Sequence, residues 1–476
     1  MTLVMKFGGT SVGNAAAIRQ TADLIRQCKQ EWGEVVVVAS AMGSKPVKVT
    51  DLLLNGANSA AAGDGESYKK IATQLRQVHF EAIDNLLAPE GERQAVLAEN
   101  QRFINRYVAL CEAVNVLGEL SPRALDAIGG MGEQMAVRIL AAYLRQVGQP
   151  AEAIDATELI VTDNNFVAAA PLFNLTVPKT EDRLRPLLQN GVIPIITGFI
   201  GATEDGVTTT LGRGGSDYSG AILGQALQAK EVWIWTDVDG VMTADPRLVT
   251  NAQSIPILSF REVSELAYFG AQVLHPKTMR PCVENGIPLR IKNTFHPHHP
   301  GTVIVADGLN GKGTIKAVTA IKDLAIITVE GRGMMGVPGI AARTFGAVAK
   351  IGVSVLLIAQ ASSEQSICFV APAKTTDAII NSLEMELKTE LYRHDIDRVW
   401  AQKDVAIVTV VGAGMRHTPG IAGRIFTALG NNDVNVIAIA QGSSECSISL
   451  VAESANVAAA VQHIHTLIVP NTPTQP

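Results

Sequence analysis

Several markers that would place a protein quickly are missing from this sequence. Cysteine is scarce: Cys28, Cys111, Cys282, Cys368 and Cys446 are scattered, odd in number and without a CxxC pair. That pattern excludes a disulfide framework and a thiolate zinc site, and reads as incidental thiols in a reducing cytoplasm. No apolar run approaches the length of a membrane span, so no membrane partner is expected. The chain enters an apolar strand at once, so no signal peptide is expected. Excess positive charge is absent too, with a net charge of −6, which argues against a general nucleic-acid binder. No Walker loop, no Ser/His/Asp set and no reactive Cys/His pair stands out. What remains is ordinary for a globular protein: 47% hydrophobic and 18% charged residues over 476 positions, enough for two or three domains.

Short β-branched runs at 34–39 (EVVVVA), 192–197 (VIPIIT) and 231–236 (EVWIWT) suit buried parallel strands. Helical stretches at 15–28, 133–146 and 217–227 separate them, which predicts an α/β domain with a largely parallel sheet. The small-residue stretch NGANSAAAGDGE at 55–66 reads as a loop or linker, and the chain from there to about 119 as mainly helical. The first domain is expected to span 1–305. Beyond it lies a repeat: 325–371 aligns with 406–452 without a gap, with roughly half the positions identical. Each copy reads strand, Gly-rich turn, helix, strand, loop, strand, helix, a βαββαβ-like unit. The domains are therefore set at 315–400 and 401–476, as a sensor of small molecules or an oligomer interface. Two tempting motifs lose their meaning in context. GRGMMG at 331–336 matches GxGxxG, but its repeat copy reads GAGMRH, so a tight strand–helix turn is favoured over a dinucleotide site. His296, His298 and His299 have no zinc spacing and are broken up by prolines, so they read as a connecting loop and no metal site is expected.

Chemistry concentrates at strand ends of the first domain, the edge where open α/β sheets bind ligands. In KFGGTS, Lys6 precedes Gly8 and Gly9; a lysine beside exposed N–H groups would neutralise a transferring phosphoryl group, or else sit on a plain strand–helix turn. Ser40 and Thr50 offer hydroxyls to a small polar substrate, Ser40 alternatively capping a helix. Glu133, after glycines at a helix start, suits a substrate ammonium or simply the helix dipole. Arg213 lies among glycines and suits a carboxylate; Ser216 and Asp217 open a helix, where Asp217 orients Lys6 or caps. Asp237 and Asp239 could reach ribose or magnesium and Arg247 a phosphate, or all three form Asp-rich turns. Together these suit phosphoryl transfer to an amino acid, with no general base required if the acceptor is an ionised carboxylate.

With KFGGTSV, TTLGRGGSDYSG, WTDVDGV…DPR, FGAQVLHP and IKNTF in this order, the sequence resembles the aspartate kinases of the amino-acid kinase family, and its repeat resembles their two ACT domains. The resemblance implies an amino-acid kinase fold followed by two α+β ACT domains. It implies transfer of the γ-phosphoryl of MgATP to L-aspartate, giving 4-phospho-L-aspartate at the start of lysine, threonine and methionine biosynthesis. By the same likeness Lys6, Gly8 and Gly9 contact the transferred phosphate. Ser40, Thr50, Glu133, Arg213 and Ser216 hold aspartate, Asp217 organises Lys6, and Thr236, Asp237 and Arg247 face ATP. Ile358, Gln360, Ile439 and Gln441 become effector contacts for threonine or lysine, with a lean to threonine; alternatively these segments only finish strands. A homodimer or homotetramer through the ACT domains is implied, and no fused dehydrogenase is expected after Pro476. Two positions depart from the family pattern: Gln272 where a lysine is common and Met242 where an aromatic is common. Lys45 or Lys48 could supply the missing charge. A related kinase acting on glutamate or N-acetylglutamate, and a sensor with a decayed kinase domain, are the competing readings.

Overall fold

Strands covered on both faces must be apolar along their whole length, and Val35 to Ala39 are fully buried. The computed structural model describes residues 1–44, 47–271, 274–306, 315–335, 337–360, 365–442 and 445–469. They divide into two compact units, one comprising Met1–Val241, Ser254–Phe260 and Leu274–Gly308, the other Met242–Gln253, Arg261–Val273 and Leu309–Pro476.

The first unit is built on an eight-stranded sheet. Its strands are β1 (Thr2–Phe7), β2 (Glu34–Ala39), β3 (Ala151–Ile154), β4 (Ile193–Thr197), β5 (Glu231–Thr236), β6 (Ile257–Ser259), β7 (Leu289–Asn293) and β8 (Thr302–Val305). The order is β6-β8-β7-β5-β1-β2-β4-β3, and only β7 and β8 run antiparallel. Five helices matter for the site: α1 (Ala15–Trp32), α2 (Val49–Ala61), α3 (Pro122–Gly129), α4 (Met131–Gln146) and α5 (Gly215–Ala226). Register places Phe7 beside Ala39 and Trp235, so the carboxyl ends of β2, β1 and β5 form one ledge.

The linker expected at 55–66 is corrected by α2, which continues to Ala61. The small residues are there for packing: a Cβ on Gly56 would lie 1.8 Å from the hydroxyl of Tyr107, itself 1% exposed. Alanine ordinarily stabilises a helix over glycine by about 1 kcal/mol. Here the clash dominates, and Gly56→Ala is expected to lower stability by about 1–3 kcal/mol, read as a lower denaturant midpoint. An unchanged midpoint would remove this explanation of the sequence.

The second unit carries a six-stranded antiparallel sheet made by both repeat copies: β9 (Ala317–Glu330), β10 (Leu357–Gln360), β11 (Ser366–Pro372), β12 (Arg398–Val411), β13 (Ala438–Gln441) and β14 (Ser447–Glu453), in the order β10-β11-β9-β12-β14-β13. The long strands β9 and β12 are each irregular where they pair, with Asp323 and Asp404 at φ +60°, a conformation aspartate tolerates better than most. Each long strand therefore serves both copies. Ala317–Ile321 pairs with Val411–Ile407 and so edges the second copy, and Arg398–Gln402 edges the first. Helices Ile340–Lys350 and Thr376–Glu386 cover the first copy, and Ile421–Gly430 and Val457–His465 the second. Leu357, Val370, Val405, Ile407 and Val451 pack the two sheet halves together. The turn at Gly331 is structural, as expected: a Cβ on Gly333 would come within 2.6 Å of the Asp395 backbone. Gly336 lies outside the described residues. The histidine stretch is the β7–β8 connection.

Candidate active site

Parallel strands ending side by side leave backbone groups and the following loops facing one space. A cavity of about 800 Å³ opens there, lined by Lys6 near the end of β1 with Gly8 and Gly9 after it, by Ser40 after β2, and by Thr236 at the end of β5 with Asp237 after it. Thr50 from α2, Glu133 from α4, and Arg213, Ser216 and Asp217 at the start of α5 complete the expected set around the same space.

Lys6 is 8% exposed, and its Nζ lies 2.6 Å from Oδ1 of Asp217. The carboxylate fixes the ammonium at the ledge. Asp217 does not cap α5; that position belongs to Gly214, without a side-chain cap. Ser40 likewise caps no helix: its N–H donates to the carbonyl of Phe7, tying the ends of β1 and β2 together. The N–H of Gly8 donates to the carbonyl of Trp235, so the loop is anchored to β5. Gly9 opens a short 3₁₀ turn, Gly9–Val12, whose first N–H groups have no partner within the turn.

Glu133 sits in the first turn of α4, 3% exposed. Burial pushes its carboxyl up to about 8, opposed by hydrogen bonds from the backbone of Ala41 and of Glu133 itself and by the charge of Lys6. Among the described residues its Oε2 has no hydrogen-bond partner. A buried carboxylate oxygen without a partner is costly unless a ligand supplies the donor. Arg213 stands between Gly212 and Gly214, at φ +77° and +72°, a left-handed pair that glycine adopts without strain. The loop so formed holds the exposed guanidinium at the cavity wall.

Other expectations fall elsewhere. Arg247 belongs to the second unit, where its exposed side chain bonds both oxygens of Asp245. Asp239 accepts from Asn293 Nδ2 at 2.7 Å. Gln272 and Lys45 lie outside the described residues, while Lys48 is exposed at the cavity wall. Asp126 and Phe199, also lining it, were not singled out from the sequence: neither carries a motif, and only the fold brings them to the ledge.

In the second unit, Gln360 borders a cavity of about 350 Å³ with Met334, Val337 and Ile340. Ile358 is 50% exposed and Ile439 48% exposed. Strand alternation puts Ile358 with Gln360, and Ile439 with Gln441, on one face of their respective edge strands. Among the described residues no helix is long and apolar enough to cross a membrane.

Comparison with known proteins agrees with this architecture. Residues 1–293 match the amino acid kinase family, and residues 327–387 and 408–467 match the ACT domain. Aspartokinase 1 of Arabidopsis thaliana, a chloroplastic protein, is 34% identical over 98% of this chain and 80% of its own. The bifunctional aspartokinase/homoserine dehydrogenase of Haemophilus influenzae is 34% identical over 98% of this chain and 56% of its own. The chain thus spans about half the length of the bifunctional curated relatives it matches. Among solved structures, E. coli aspartokinase III in complex with aspartate and ADP superposes with a TM-score of 0.78 at 29% identity, covering 98% of this chain and all of that one. Aspartate kinase from Clostridium acetobutylicum gives a TM-score of 0.82 at 28% identity, with coverage of 98% and 100%. With its catalytic-type unit and both repeats matched, this chain belongs to the aspartokinases of the amino acid kinase family, with tandem ACT domains.

Proposed function

We propose that this chain transfers the γ-phosphoryl group of MgATP to the β-carboxylate of L-aspartate, giving 4-phospho-L-aspartate. The observation that carries the reading is the buried Oε2 of Glu133, unpartnered among the described residues, in the cavity that also holds Arg213 and the Lys6–Asp217 pair. An ammonium fits the first, an α-carboxylate the second, and the phosphoryl group in transit the third. The acceptor carboxylate is already ionised, so no base is needed; alignment and neutralisation of two anions do the catalytic work. Ser40, Thr50 and Ser216 hold the acceptor. Gly8, Gly9, Thr236, Asp237 and Arg247 serve the nucleotide. Magnesium would neutralise phosphate oxygens; its preference for hard oxygen ligands suits Asp237, exposed at the cavity rim.

The test is ADP release with MgATP and L-aspartate, glutamate or N-acetylglutamate. An N-acylated acid has no ammonium for Glu133, so N-acetylglutamate is not expected to turn over; rates with it equal to those with L-aspartate would reject the assignment.

The catalytic part is placed at 1–305 and the regulatory part at 315–400 and 401–476. The reading extends to feedback inhibition by threonine or lysine, with threonine favoured, through Ile358, Gln360, Ile439 and Gln441, in a homodimer or homotetramer paired through the exposed edges β10 and β13. In E. coli aspartokinase III a complex with lysine and aspartate is known. Gln360→Ala is expected to raise the effector concentration for half-inhibition about tenfold, the effect of losing one hydrogen bond to a charged ligand. An unchanged inhibition curve counts against the site.

A further inference from the structure

Asp126 has no assigned role in the chemistry above, yet it is a buried carboxylate at the wall of the reaction cavity, 1% exposed. It sits near the end of α3, a few residues before Glu133 enters α4. Its Oδ2 accepts from the N–H of Val167 at 2.9 Å and of Thr210 at 3.0 Å, and its Oδ1 from the Thr210 hydroxyl at 2.6 Å. Val167 has φ +72°, a genuine outlier for a β-branched residue. The loop around it presses on the arginine turn: a Cβ on Gly212 would lie 3.2 Å from the Val167 carbonyl, and Ala169 N–H donates to the Thr210 carbonyl at 2.9 Å. One carboxylate thus clamps the strained Val167 loop and the strand that leads into Gly212-Arg213-Gly214.

We propose that Asp126 is a positioning residue for acceptor recognition: through Val167 and Thr210 it sets the Arg213 turn at a fixed place relative to Glu133. The inference rests on the reading that Arg213 takes the acceptor's α-carboxylate. Ala in place of Asp126 removes the acceptor of two peptide N–H groups and of the Thr210 hydroxyl, so the clamp opens, whereas Asn keeps one oxygen for both N–H groups and can donate to that hydroxyl. The nucleotide end of the cavity, built on β1 and β5, is untouched by this clamp.

The test is steady-state kinetics of Asp126→Ala and Thr210→Val in the full chain, each alone and combined with Arg213→Ala. Expected for Asp126→Ala is a rise of about tenfold in KM for L-aspartate with KM for ATP within about twofold, and for Thr210→Val about threefold on the same parameter. In the Arg213→Ala background neither substitution is expected to add a further change, because the group they position is gone. Amide hydrogen exchange at 163–169 and 208–214 is expected to rise in both variants. Unchanged aspartate KM, equal loss in both KM values, or full additivity with Arg213→Ala would overturn the proposal. Thr210→Val, which leaves the hydrogen bonds from the peptide N–H groups to Asp126 in place, decides the matter if Asp126→Ala does not fold. Wild-type protein without aspartate-dependent turnover would instead defeat the functional reading, while the exchange measurement still reports whether the clamp exists.

Discussion

Lys6→Ala is expected to reduce kcat by about 10²–10³-fold or more, the loss seen when one preorganised donor to a developing charge is removed. The ammonium sits on the ledge, 2.6 Å from Asp217, with 8% of the residue exposed. Its position is therefore fixed before substrate arrives, and no reorganisation is needed as charge moves between the two anions. Removing it does two things at once. It takes away the cation, and it leaves the Asp217 carboxylate facing the incoming phosphates. The second effect turns a neutralising pair into a repelling group, so ATP binding is expected to weaken as well. The fold is expected to survive at a cost of about 1–3 kcal/mol, because the Asp217 side chain is 22% exposed. Thermal melting and kcat on the same preparation separate the two effects. A near-normal kcat in folded Lys6→Ala protein would contradict the assignment of Lys6.

The second large effect concerns Glu133 and pH. Its carboxyl is pushed up to about 8 by burial, so in the free protein it holds a proton at neutral pH. A substrate ammonium needs the carboxylate, and binding below pH 8 must therefore release that proton. The apparent KM for L-aspartate is expected to fall as pH rises from about 6 to 8, approaching tenfold per unit at the acid end, and then level off. Glu133→Gln should remove this slope and raise KM by about 10²-fold, the cost of leaving one partner of a buried charge pair alone. The same shift makes a stability statement. The native state binds the proton more tightly than the unfolded chain, whose carboxyl has its ordinary value of 4.5. The contribution is complete below that value and is lost as pH rises through about 8. In Glu133→Gln this fall in stability should be absent. A pH-independent KM in the wild type, or a slope that persists in the variant, would contradict the ammonium role.

Most of the ledge was legible because it rests on local signals. β-Branched runs at 34–39 and 231–236 became strands at those limits, since only buried strands tolerate such sequences. Lys6, two residues before Gly8, and Arg213, between Gly212 and Gly214, lie at strand and helix ends, where sheet topology alone predicts a ligand. The failures share one cause, which is distance along the chain. Residues 55–61 look like a linker until Tyr107 supplies the reason for Gly56. Asp126 is an unremarked acid until Val167 and Thr210 converge on it. The repeat was visible as a repeat, but not that each copy is completed by a strand half from outside its aligned span, because pairing register is a property of the folded sheet.

The most direct measurement is to trap the product. The protein is incubated with MgATP, L-aspartate and hydroxylamine, which converts an acyl phosphate into a hydroxamate, and ADP is followed in parallel. The expected result is β-aspartyl hydroxamate formed in step with ADP, and neither product when L-aspartate is omitted. ADP without hydroxamate, or no turnover from folded protein that binds ATP, would contradict the claim that this cavity moves phosphate onto the carboxylate of aspartate.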